Sequence, residues 1–235
     1  MSEYFIFNGT DSRSFHALIF EETQYNASPR VYSKLAVPAR SGQLLVDGKR
    51  YSDVQHKIPF IIHQDFVNSE RNMRNFLLSQ PGYKRLEDSR YPDEFFMAVY
   101  DSNYVTKVSR DKTIGKGTLT FTRKPQRYLK SGETKTTLIT NGSISNPTLF
   151  DSQPLLRIYG TGTVGIGDNA ITITAADGYT DIDCEAMEAY KGTTSCNGAI
   201  QIQDIDFPVL KPGANAITLG TGITKVEITP RWYRL

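Results

Sequence analysis

Short runs of alternating apolar and polar residues, broken every few positions by Gly, Pro, Asn or Asp, recur along the chain and predict β-strands over most of it. Tyr4-Phe5-Ile6-Phe7 runs into Asn8-Gly9, a turn dipeptide, and Phe15 to Phe20 is a second apolar stretch. From Leu35 to Ile62 the pattern is extended: Leu35-Ala36-Val37-Pro38, Ser41-Gly42, then Leu44-Leu45-Val46 before Asp47-Gly48. Asp-Gly favours a two-residue hairpin turn because both central positions take positive φ. Pro59 in the return limb removes a ladder donor and marks that limb as an edge. The segment 35–62 is therefore predicted to be a protruding hairpin arm.

One helix is predicted over 68–79. Asn68-Ser69 supplies the cap, Val67 stands in staple position, Met73, Phe76 and Leu77 share one face, and Pro81-Gly82 ends it. Phe95 to Tyr100 reads as a buried strand, and Gly117 to Arg123 alternates with Leu119 and Phe121 on one face. Lys124-Pro125, Arg127, Lys130-Ser131-Gly132 and the Thr-rich run to Asn146 read as a polar connector. Beyond it lie Leu155–Tyr159, Ala170–Thr174, Thr180–Ala186, Ala199–Gln203, Asn215–Leu219 and Thr224–Ile228, short runs punctuated by glycine turns. Their spacing predicts an antiparallel sandwich. The fold class is mainly β in two domains: 1–130, short strands with one helix and the arm, and 131–235, an antiparallel sandwich.

Composition narrows the function classes. The 235 residues are 39% hydrophobic and 22% charged, enough for a packed core, and no apolar run reaches the ~18–20 residues of a membrane helix. Met1-Ser2-Glu3-Tyr4 carries an acid where an export signal carries Lys or Arg, which predicts synthesis in a reducing compartment. Cys184 and Cys196 are then expected as thiols. Net charge is only +2, which argues against a dedicated nucleic-acid binder, but it is split: residues 1–130 carry +6 and residues 131–235 carry −4.

The motifs that invite chemistry fail on context. Gly160-Thr161-Gly162-Thr163-Val164-Gly165 fits the dinucleotide fingerprint, but Ile166-Gly167-Asp168-Asn169 leads into an alternating strand, not the helix that holds a pyrophosphate. Asp181, Asp183 and Glu185 lie on one strand face without a calcium loop and read as a solvated or partner-facing face. His16, His56 and His63 have no ligand partners at metal spacing, and no nucleophile motif is present. Lys107 to Lys135 holds nine basic and two acidic residues with few aromatics for base stacking. Trp232 reads as a last-strand anchor on the core, with a sugar-stacking platform as the competing role. No enzymatic activity, cofactor or metal is expected.

The order of these motifs resembles one family. Phe5-Ile6-Phe7-Asn8-Gly9 is followed by Leu35-Ala36-Val37-Pro38-Ala39-Arg40-Ser41-Gly42, Asp47-Gly48-Lys49-Arg50-Tyr51 and the Asn68–Leu78 helix. Then come Pro92-Asp93-Glu94-Phe95-Phe96, Lys124-Pro125-Gln126-Arg127-Tyr128, Leu210-Lys211-Pro212-Gly213-Ala214-Asn215 and Arg231-Trp232. Nearly the whole chain is similar to the distal tail proteins of siphophages infecting Gram-positive bacteria. That resemblance implies a tail-tube-like β-sandwich with one helix as the first domain, a belt arm wrapping a neighbour, a galectin-like second domain and a homohexameric ring at the virion tail tip, assembled in the host cytoplasm. It implies a hub joining the major tail tube protein to the tail-associated fibre or lysin protein and, in some phages, to receptor-binding proteins. The belt interface would fall on Val37, Pro38, Arg40, Gly42, Leu44, Val46 and Tyr51. The galectin sugar site is not matched, because no His follows His63. The competing function is a carbohydrate-binding module that meets cell-wall glycans through Trp232 and Tyr233.

Overall fold

The computed structural model describes residues 3–21 and 26–235. It is mainly β, with one α-helix and several antiparallel sheets. The chain divides into two compact units, Met1–Arg127 with Leu235, and Tyr128–Arg234.

In the first unit, β1 (Phe5–Phe7), β2 (Thr10–Asp11) and β3 (Ala17–Ile19) come first, followed by β4 (Arg30–Ala36), β5 (Gln43–Tyr51) and β6 (Val54–Ile62). Helix α1 (Phe66–Leu78) precedes β7 (Lys84–Asp88), β8 (Glu94–Val99), β9 (Lys107–Val108) and β10 (Gly115–Leu129). The main sheet runs β2-β1-β7-β8-β10-β6-β3, with β9 also on β10, while β4 and β5 pair only with each other. Phe5, Phe7, Ile58, Phe60, Ile62, Phe96, Leu119 and Phe121 fill its core. Met73 and Leu77 of α1 close that core, and Phe76 packs against it.

Three expectations change here. Strand β6 is not an arm limb: Val54, His56, Ile58, Phe60 and Ile62 alternate inward, and β6 pairs with β10 from Val54↔Arg123 to Ile62↔Gly115. Pro59 is tolerated because its missing donor costs β10 nothing. Its carbonyl accepts from Phe20 N–H at 3.2 Å on the β3 side, and main-chain N–H and C=O of one strand residue point the same way. The absent N–H thus faces the side where the β3 ladder has already ended at Ile19. Second, β10 runs on through Arg123 and Pro125 to Leu129 with both residues buried, so 123–129 is core strand and not connector. Third, α1 starts at Phe66 with Asp65 as its cap residue, and Asn68 donates from its side chain to the Asp65 carboxylate at 3.1 Å. Val67 is exposed and staples nothing.

The second unit contains β11 (Thr136–Leu138), β12 (Gly142–Asn146), β13 (Leu155–Gly160), β14 (Gly162–Ile166), β15 (Asn169–Ile173) and β16 (Tyr179–Asp183). After these come β17 (Glu188–Lys191), β18 (Thr194–Ser195), β19 (Ile200–Ile202), β20 (Gly213–Leu219), β21 (Ile223–Thr229) and β22 (Tyr233–Arg234). Sheet β11-β21-β13-β16-β17-β18 and sheet β12-β20-β14-β15-β19 share one core. Leu156, Ile158, Ile182, Val226 and Ile228 from the first meet Val164, Ile166, Ile171, Ile173 and Ile217 from the second, the arrangement of a sandwich. Every run predicted as a strand in this half contains one.

The glycine fingerprint is a sheet-crossing turn. A Cβ on Gly160 would lie 2.1 Å from the Gly222 carbonyl oxygen and one on Gly162 2.3 Å from that of Thr221, so only glycine lets these two turns touch. Ile166 stands opposite Asn169, which makes Gly167-Asp168 a two-residue hairpin turn. The unit also closes on itself: Leu129 N–H donates to the Trp232 carbonyl and Arg231 N–H to the Gly132 carbonyl, both at 2.8 Å.

His56 sets an acid limit on the first unit. It is 1% exposed, and burial, followed by the nearby Arg123 charge, lowers its pKa to about 4 from an ordinary 6.5. The unfolded chain therefore takes up this proton first, so the contribution is intact above pH 6.5 and is lost as pH falls towards 4. His56→Gln should remove a pH-dependent loss of roughly 3 kcal/mol across that window, read as a flatter plot of unfolding free energy against pH.

Candidate functional site

The candidate site is the β4–β5 hairpin. Its register runs Tyr32↔Asp47, Ser33↔Val46, Lys34↔Leu45, Leu35↔Leu44 and Ala36↔Gln43. Opposite residues share a face, so Leu35, Leu44 and Val46 crowd one side while Tyr32 and Leu45 stand on the other. All five are exposed, Leu35 at 52% and Leu45 at 57%. Among the described residues no third strand pairs with either outer edge. A lone two-stranded ribbon is marginal in water, and one with apolar residues on both faces and two open edges is built to be covered.

Sequence-predicted residues fall along it as follows. Residues 37–42 form the tip, with Val37 exposed, Arg40 N–H donating to the Val37 carbonyl at 3.2 Å, and Gly42 at φ +84. Pro38 is in this turn, Leu44 and Val46 are on β5, and Tyr51 is at its end. Asp47-Gly48 is not the hairpin turn. It lies in a bulge where the register shifts opposite Arg30 to Tyr32, and a Cβ on Gly48 would come 2.9 Å from the Val31 carbonyl oxygen. Arg30 grips the bulge: its Nε donates to Asp47 at 3.0 Å, a second nitrogen reaches the other carboxylate oxygen, and Nη1 donates to the Tyr51 hydroxyl at 3.2 Å. The Arg30 bonds, with the Lys49 amide, hold Asp47 down to about 2. Leu35 and Leu45 lie in the apolar runs that predicted the arm but outside the belt positions implied by the resemblance, and Tyr32 lies before the predicted start of the arm.

At the second candidate surface Trp232 takes the anchoring role on the core and not the competing sugar-stacking one. Trp232 is 6% exposed and belongs to the second core, so it cannot serve as a sugar-stacking platform. A Cβ on Gly132 would meet its backbone nitrogen at 2.3 Å, which shows how tightly the segment is held. Tyr233 stacks on Phe150 with ring centroids 5.8 Å apart. The acidic strand is likewise no solvated face: Asp181 is buried on Arg157, which donates to it at 2.6 and 2.8 Å, and Arg231 donates twice to Asp183 at 2.7 and 2.8 Å. Cys184 is buried and Cys196 half-buried, both as thiols.

Over its full length the chain is similar to the Dit (gp 19.1) protein of SPP1, with a TM-score of 0.71, 14% identity and 100% of both chains covered. This chain has the Dit fold. The SPP1 protein is described as a paradigm of the hub adsorption apparatus in phages that infect Gram-positive bacteria. The Dit fold also aligns with a chain of the phage p2 baseplate in its activated conformation with Sr, at TM-score 0.52 and 11% identity, covering 97% of this chain and 98% of that one. No protein-family model and no curated protein matches the sequence. The likeness of this Dit fold lies in its backbone path, not in residue identity.

Trp232→Ala is expected to cost the second unit about 3–5 kcal/mol, because it empties a large buried site. Denaturant titration followed by a probe in that unit measures it, and a near-zero cost contradicts the core role.

Proposed function

We propose that this chain is a structural hub of a phage tail tip or baseplate. Copies of it close a hexameric ring in which the hairpin Arg30–Tyr51 of each lies against the next. The observation that carries this reading is the hairpin itself: apolar residues on both faces and two open strand edges, with no strand of its own chain beside it among the described residues. A cyclic, heterologous contact covers such a surface on every copy and leaves none over, whereas a monomer leaves an aggregation hazard in solution. The Dit fold supports it, since the SPP1 protein that shares the fold is described as a hub.

In this reading the ring joins the major tail tube protein to a tail-associated fibre or lysin protein and to host-attachment proteins, in the virion and without enzymatic chemistry. The first unit is the tail-tube-like ring former and the second a galectin-like sandwich turned to partners. Belt contacts then involve Val37, Pro38, Arg40, Gly42, Leu44, Val46 and Tyr51, to which Tyr32, Leu35 and Leu45 are added. The carbohydrate-binding alternative keeps no aromatic platform at Trp232.

Light scattering and negative-stain images of the purified protein test it. A six-fold annulus is expected, and a monomer at physiological salt and millimolar concentration would refute it. Leu44→Asp with Val46→Asp should abolish the annulus while unfolding stability changes by no more than about 0.5 kcal/mol, since both side chains are exposed in the isolated chain.

A further inference from the structure

Arg123 is 3% exposed, and among the described residues no carboxylate pairs with it, the neighbouring charge being that of Arg127. Its hydrogen bonds go to main-chain carbonyls instead: Nη2 donates to Asn26 at 2.9 Å, and Nη1 donates to Lys124 at 3.2 Å and to Pro125 at 3.3 Å. The guanidinium lies 4.8 Å from the Phe96 ring centroid, with His56 packed 5.3 Å from that same ring. Burial, reinforced by the neighbouring Arg127, lowers its pKa to about 10. Burying a cation without a counter-charge is expensive, and an apolar residue of similar volume is often the more stable choice in such a position.

Position explains what the charge is for. The main chain of Arg123 stands opposite Val54, the first residue of β6, where the chain returns from the hairpin. Its side chain reaches Asn26, four residues before β4 leaves. One residue thus touches both roots of the hairpin. The same corner carries further ties: Ser52 N–H donates to the Pro29 carbonyl at 3.1 Å, Asn26 Nδ2 to Gln55 at 3.3 Å, and Ser28 Oγ to Pro125 at 3.4 Å. We infer that Arg123 is a positioning residue that fixes the direction of the β4–β5 hairpin by pinning its two roots to β10.

The mechanical consequence is large for so small a contact. Strand β4 has seven residues, which at ~3.3 Å each gives an arm of ~23 Å. A ~10° swing at the root moves the tip by ~4 Å, close to the spacing of adjacent strands, enough to lose register on a docking surface. The planar fork of the guanidinium suits the task because it bonds carbonyls on two segments at once, which a lysine ammonium on a flexible stem does less well. The value of a fixed direction to assembly rests on the ring proposed above, while the pin itself is a property of the single chain.

Amide hydrogen exchange on the full-length chain separates the two. In Arg123→Met, which keeps stem packing on Phe96, the Ser52 amide and hairpin amides are expected to exchange about tenfold faster or more, while Leu119 and Phe121 in the β6–β10 ladder change by less than about threefold. Arg123→Lys should fall between wild type and Met. Unchanged exchange at Ser52 in both variants overturns the inference, as does a uniform rise at root and core, which marks general destabilisation. Light scattering on the same samples reads assembly: the concentration for ring formation should rise about tenfold in Arg123→Met. A wild-type protein that never assembles would sink the ring, and exchange at the root would then decide the role of Arg123 by itself.

Discussion

The constraint on which the rest of the structure depends is the open hydrogen-bonding edge of a β-ribbon that carries leucine, valine and tyrosine into solvent. Hydrophobic burial and ladder bonding ordinarily act together, and β4–β5 has the second without the first. Its own ladder and the Arg30 grip on Asp47 shape it, but no core among the described residues receives Leu35, Leu44 or Val46. Without burial on either face, the shape of the ribbon comes from its ladder and from its roots.

Those roots are set in a conventional core. Strand β6 alternates with period two from Val54 to Ile62 and lies between β10 and β3, so the ribbon springs from one of the interior strands of the sheet. The second unit follows separate rules. Two sheets face each other, arginines match the buried Asp181 and the half-buried Asp183, and Asn215 closes the Pro212-Gly213 turn by bonding the Lys211 amide and carbonyl. The second unit keeps its tryptophan inside and leaves Ile139, Leu149 and Ile205 exposed as single side chains.

What was legible in the sequence follows from local physics. Strands of the second half announced themselves because alternation and glycine turns are short-range signals, and the failure of the dinucleotide fingerprint was visible in the residues after Gly165. The helix was legible from Met73, Phe76 and Leu77, while its start was not, since Asp65 caps it through backbone geometry instead of a preferred side-chain bond. The existence of an arm was readable from 35–62, its bounds were not. Pro59 looks like the mark of an edge, and only the three-dimensional placement shows that the missing proline donor points past the end of β3. Asp47-Gly48 looked like a turn because the dipeptide serves bulges and turns alike. The Arg123 pin had no sequence signal, for its bonds go to carbonyls, which every residue possesses.

The seam between Leu129 and Trp232 has a consequence for how such a molecule can change. The first and last backbone stretches of the sandwich are joined by two N–H to C=O hydrogen bonds, so both ends of the module lie side by side. Insertions at turns remote from that seam enlarge the module without altering the geometry of its closure. Diversity in what the sandwich presents to the outside is therefore mechanically insulated from the point where the chain comes in and goes out.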